Sequence, residues 1–213
     1  MSGAGWSLKK GEMDTNVDYS EAMFQFFSKN NIMKNLYKLL LLKSILMLDT
    51  SEENVLYDIS IHFAELYFLY KTTYPISITI FNGISKKSTL DIKVEEIFNN
   101  GIYDYKKIPI EDKINYIEET KQVLKRNVIG AFYTSFKKVP YSFDINLEFI
   151  KLNTNFKIFL DKNKSKIEDI IDLRIIEFFK ISEKDEKVLS KALNFNYKQD
   201  YYIQINNLLK DLF

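Results

Sequence analysis

Apolar residues spaced three and four apart run through most of this chain, and that period predicts helices. A first short helix is expected over about Tyr19–Phe27, with Ser20 near its start. A second, about Met33–Leu48, carries Leu36, Leu39, Leu40, Leu42, Ile45 and Leu46 on nearly all sides, as in a helix surrounded by others. The polar run DTSEEN at 49–54 ends it. A third helix, about Leu56–Tyr70, sets Ile59, Phe63, Leu66 and Tyr70 four, three and four apart. Pro75 then breaks the pattern, because the residue before a proline is pushed out of the α region.

Beyond Pro75 the period changes. Ile76–Ile80 alternates apolar and polar, which fits either a strand or a short helix running into the Asn82-Gly83 turn. A helix near Ile92–Phe98 should close at Asn99-Asn100-Gly101, with Gly101 as its left-handed cap, and 102–112 reads as a loop containing Pro109. A long helix over Lys113–Phe136 is expected to be interrupted or kinked near Gly130. After Pro140, Tyr141–Ile145 and Glu148–Leu152 alternate, with turn chemistry at Asp144 and Asn146, and predict a β-hairpin. Ser165 with Glu168 and Ser182 with Asp185 resemble capping boxes, placing helices at about 154–162, 166–180, 183–193 and 199–212. The expected fold is mainly α, a helical bundle with one small antiparallel β-hairpin. Residues 1–18 read as a flexible lead-in, and 19–100 and 101–213 as two subdomains sharing one core.

Composition agrees with this and narrows the chemistry. The chain has 17 Phe and 14 Tyr but only six Gly and three Pro, which disfavours a many-turned sandwich or barrel. Thirty basic against 29 acidic side chains leave no net charge to predict a partner. No cysteine is present, which fits a reducing, cytoplasmic location. Residues 1–11 lack the apolar core of an export signal. The most apolar run, Leu36–Leu48, is interrupted by Lys38 and Lys43 and is shorter than the roughly 20 residues a bilayer span needs, so no membrane contact is expected.

With one histidine and no thiol, the chain cannot build a Cys/His zinc site or a thiol nucleophile, so neither a metal nor another cofactor is expected. His62 shares a helix face with Asp58 and Glu65, as a carboxylate-assisted base or partial metal site would require. Without a second histidine, an imidazole paired at the core edge accounts for it better. Asp104 with Glu111-Asp112-Lys113 superficially matches the acid…ExK pattern of metal-dependent nucleases, but the triplet opens a helix, where acids favour the positive end of the dipole. Glycine-rich phosphate loops and GxSxG elbows are missing.

Charge segregation is the stronger signal. Thr120–Phe143 holds no acid, while Lys121, Lys125, Arg126, Lys137 and Lys138 are interleaved with Phe132, Tyr133, Phe136 and Tyr141. Such a stretch could track a phosphate backbone and stack bases, or the rings could be core and the lysines a solvated face. A second acid-free stretch, Ala22–Leu48, carries Lys29, Lys34, Lys38 and Lys43, with Lys43 on the side opposite the others.

Five segments, LYKLLLLKSIL (36–46), HFAELYFLY (62–70), VLKRNVIGAFY (123–133), VPYSFD (139–144) and FIKLN (149–153), occur in an order and spacing that resembles the helical amino-terminal region of bacterial HNH endonucleases. The likeness covers about residues 20–180. It implies a recognition or docking module associated with DNA restriction or antiviral defence. The catalytic histidines of that family have no counterpart after His62, so no catalytic residue is carried over. The expected function is therefore a non-catalytic module that binds nucleic acid or a nuclease partner in such a setting. The alternative is a phage or prophage inhibitor that binds a host defence nuclease. An exposed aromatic or acidic patch favours the inhibitor, and a continuous basic groove favours the first reading.

Overall fold

The computed structural model describes residues 11, 12, 14, 17–28, 36–49, 54–74, 80, 81, 84, 85, 87–144 and 146–183. These are mostly helical, with short antiparallel strand pairs, as the apolar period predicts. Helix α1, Tyr19–Phe27, starts where the Asp18 carboxylate accepts the Ser20 and Glu21 N–H groups. Helix α2, Tyr37–Leu46, has no polar face. Leu39, Leu40, Leu41, Leu42 and Ile45 are all fully buried, because α2 is packed by the helices that follow it. Helix α3, Leu56–Thr73, buries Ile59, Phe63, Leu66 and Tyr67 against it.

Ile80–Phe81 (β1) and Ile84–Ser85 (β2) form a small pair. The rest of the segment 76–80, expected as a strand or a short helix, lies outside the described residues. Helix α4, Thr89–Asn99, begins earlier than its apolar spacing suggests, since Ser88 and Asp91 form a reciprocal capping box. It ends at Gly101, whose φ of 77° is left-handed. The region expected as a loop contains one 3₁₀ turn, Tyr105–Lys107, and the next helix, α5, already starts behind Pro109 and runs Ile110–Val123.

The interruption expected near Gly130 lies instead at Leu124–Val128. That segment is a π-helical turn, closed by the Ile129 N–H donating to the Leu124 carbonyl, before α6, Ile129–Ser135. Lys137 and Lys138 then both take left-handed φ values, 50° and 69°, which turns the chain sharply into the hairpin.

The expected hairpin is present as β3, Tyr141–Phe143, paired with β4, Ile150–Leu152. Its period of two is clean, with Tyr141, Phe143, Ile150 and Leu152 buried and Ser142 and Lys151 directed outward. The Asp144 carboxylate organises the turn by accepting the Phe149 N–H at 2.7 Å. From the segment expected as a lead-in, Gly11 exchanges two backbone hydrogen bonds with Phe143 on the free side of β3. Helix α7, Thr154–Lys162, is capped by Asn153, and α8 spans Lys164–Glu183, so Ser165 lies inside α8 rather than capping it. Ser182 likewise falls inside α8, and Asp185 and the helices expected beyond it lie outside the described residues.

A seam of rings ties the two halves together. Phe26 of α1 stacks on Phe136 at 4.1 Å, and Phe136 meets Phe132 at 4.7 Å and Phe156 of α7 at 5.6 Å. These buried residues belong to one hydrophobic core running from α1 to α8.

Candidate interaction surfaces

The acid-free stretch 120–143 is acid-free only along the sequence. One turn back on α5, Glu118 holds the Lys121 ammonium at 2.9 Å. The Lys125 ammonium pairs with Glu148 in the β3–β4 loop, and Lys137 pairs with Glu21 of α1 at 3.1 Å. Glu148 is brought to Lys125 because the Asn54 side chain donates to the Glu148 carbonyl and accepts the Ile150 N–H, fastening the hairpin to the start of α3. Arg126 and Lys138 are exposed. The inner face carries Leu124, Val128 and Phe132, all buried. The rings proposed for base stacking are all in the core, for Phe132, Phe136 and Tyr141 are fully buried and Tyr133 nearly so. Sequence separation concealed each of these acids except Glu118.

The second acid-free stretch is equally committed. Lys38 donates to the Ser135 hydroxyl at 2.6 Å, and burial lowers its pKa. Lys43 bonds Asp172 of α8 at 2.9 Å and the Tyr70 hydroxyl at 3.3 Å. Burial alone would lower the Lys43 pKa, but Tyr70 and Asp172 outweigh it and raise it. Lys29 and Lys34 lie outside the described residues.

His62 is half-buried beside a cavity of about 210 Å³ lined by Met47, Leu48, Asp49, Val55 and Asp58. Its Nδ1 has no hydrogen-bond partner. Among the described residues, no three His, Asp or Glu side chains are arranged to hold a metal ion. Asp104 caps the 3₁₀ turn, Glu111 and Asp112 occupy the first turn of α5, and the Lys113 ammonium lies 5.0 Å from the Tyr105 ring centre. Among the described residues no strand adjoins that triplet, which stands at a helix start.

Some apolar side chains are exposed. On α3, Leu69 is exposed, while Asp58, Ile61 and Glu65, spaced three and four apart on the same ridge, are half-buried and Ile61 packs against the core. On α5, Ile110, Ile114 and Glu118 recur every four residues, and Ile110 is 79% exposed. The two helices pack directly, with the buried Tyr116 hydroxyl donating to the Ala64 carbonyl at 3.1 Å. The alternation of apolar and acidic residues here is visible in the sequence, but a polar helix face rarely stands out until its neighbours are known.

The sequence reading singled out none of the buried charges, among them Lys71, Asp91, Lys157, Arg174 and Glu177. Lys71 and Asp91 form an ion pair at 2.9 Å between α3 and α4, in which Asp91 also accepts the Ser88 N–H. The Ser88–Asp91 spacing signals a cap, but nothing at Lys71 signals a buried amine. Among the described residues no helix is long and apolar enough to cross a membrane. Comparison of the chain with protein-family models, with curated proteins and with solved structures returns no match.

Proposed function

We propose that this chain is a non-catalytic helical module that binds a protein partner of the nuclease class, in a bacterial DNA restriction or antiviral defence setting. The observation that carries the choice of protein over nucleic acid is the pairing of Lys121, Lys125 and Lys137 with Glu118, Glu148 and Glu21. A lysine already matched to a carboxylate must lose that partner before it can neutralise a phosphate and release its counterion. The setting rests on the likeness of the helical segments to the region that precedes the HNH nuclease module. The exposed Ile110, Glu111, Asp112 and Ile114 at the start of α5 favour the inhibitory form of the same contact, in which a phage- or prophage-encoded chain occupies a host nuclease.

Fluorescence anisotropy with labelled single- and double-stranded DNA and RNA tests the choice. Between about 50 and about 200 mM salt we expect no binding tighter than the non-specific range of roughly 10⁻⁴–10⁻⁶ M. Combined replacement Lys121→Ala, Lys125→Ala and Arg126→Ala should change nothing. Tight binding that weakens steeply with salt and is lost in the triple variant would restore the phosphate-tracking reading.

A further inference from the structure

We propose that the outer edge of β3 is a strand-docking seat, held in the structure by the chain's own segment 11–14, and that an extended, glycine-bearing segment of the partner takes its place. The inference rests on the protein-partner reading above and adds where the contact is made and which chemistry it selects.

The seat is built from groups of β3, the Lys138 turn and α6. β3 pairs with β4 along one side. Along the other, the Gly11 N–H donates to the Phe143 carbonyl at 3.1 Å, and the Phe143 N–H donates to the Gly11 carbonyl at 3.0 Å. The Tyr133 hydroxyl of α6 donates to the Glu12 carbonyl, and the Asp14 N–H donates to the Lys138 carbonyl at 3.0 Å. Each of these bonds uses a main-chain group of the occupant, so any extended segment can supply them.

Side-chain selection enters at one position. A Cβ at Gly11 would stand 2.3 Å from Cε1 of the Phe143 ring. That ring has no room to give, being buried and met edge-on by Tyr133 at 4.9 Å and by Tyr141 at 6.3 Å. The seat therefore takes glycine opposite Phe143, where another backbone must approach closely.

The resident segment adds little apolar burial of its own. Among its described residues, Gly11 brings no side chain, and Glu12 and Asp14 are exposed. Segments with few buried apolar contacts open at a small fraction of the global unfolding free energy. Once this one opens, β3 presents an unpaired edge, which is the template for strand addition.

The test uses the full chain labelled with ¹⁵N. The probe is a synthetic peptide of residues 8–17, LKKGEMDTNV, and its control is the same peptide with Gly11→Val. In the unaltered protein the Phe143 amide should exchange with deuterium at least about tenfold faster than the mid-helix amide of Phe63. In the Gly11→Val chain the resident segment is expelled. The peptide should bind that chain at least about tenfold more tightly than the unaltered one, because the seat no longer has to be vacated first. Amide shifts should centre on Lys138 and Phe143, and the valine peptide should bind at least about tenfold more weakly. Gly11→Pro, which deletes the donor to Phe143, opens the seat by a second route.

Equal binding of the two peptides, shifts centred away from 133–143, or no binding to either variant up to millimolar peptide would overturn the assignment. A Phe143 amide as protected as that of Phe63 would do the same. So would dimers of either variant that the peptide fails to disperse, because the open edge would then serve a second copy. None of these outcomes bears on the protein-partner reading, which fails on tight nucleic-acid binding in the anisotropy experiment.

Discussion

Raising the pH through 10 should unfold this protein steeply. Tyr67, Tyr116 and Tyr141 are fully buried, and each hydroxyl is spent inside the fold. The Tyr67 hydroxyl shares a hydrogen bond with Ser88, Tyr116 donates to the Ala64 carbonyl, and Tyr141 donates to the Ile129 carbonyl beside the π turn. Burial pushes all three pKa values well above the ordinary phenol value. The unfolded chain then releases these protons first, at about pH 10. Their contribution is complete below that pH and is lost as the pH climbs towards the folded values.

Each such group changes stability by about 1.4 kcal/mol per pH unit in that window, so three together remove roughly 4 kcal/mol per unit. A domain of ordinary stability, about 5–15 kcal/mol, cannot survive much of that slope. Tyr70, pushed up to about 12, and Lys43, raised by Tyr70 and Asp172, act in the same direction; Lys38, lowered by burial, opposes them. Urea melts across the alkaline range, followed by tyrosinate absorbance, should show the phenols ionising together with unfolding. Tyr116→Phe should flatten the slope by about a third. Phenols that ionise at ordinary pH in a still-folded chain would refute the packing described.

The second large effect belongs to the buried ion pair. Asp91 is 0% and Lys71 3% exposed, so Asp91→Ala leaves an ammonium in the core with its strongest partner gone. Breaking one side of such a pair costs about 3–5 kcal/mol. The same change removes the capping box at the start of α4, a further loss of about 1 kcal/mol. Adding Lys71→Met should recover much of the first loss, because an apolar side chain of similar length needs no partner, while the cap stays broken. Denaturant melts of the single and double variants measure this. A loss near 1 kcal/mol for Asp91→Ala would mean that Lys71 reaches water.

The helices were legible because their signal is local. The period of three and four in α2 and α3, the alternation across Tyr141–Leu152 and the left-handed Gly101 all lie within a few residues of what they specify. Boundaries shifted where a side chain decided them. Ser88 opened α4 three residues early, and Pro109 allowed α5 to start at once behind it.

The π turn at Leu124–Val128 could not be read, since its five residues carry no Gly or Pro and nothing distinguishes them from ordinary helix. The basic stretch misled for a different reason. Charge segregation along a chain becomes segregation in space only if no distant acid returns to it, and Glu21 and Glu148 do return through α1 and the hairpin loop. The interleaved rings follow the same logic, being interleaved because one face of α6 is core.

The most direct measurement of the central claim is affinity purification of the tagged chain from its native cell, with and without nuclease digestion of the lysate. The protein-partner account predicts a co-purifying protein that survives digestion. It also predicts that this protein is retained with Lys121→Ala plus Lys125→Ala. Recovery of nucleic acid, together with loss of every co-purifying protein on digestion, would contradict it.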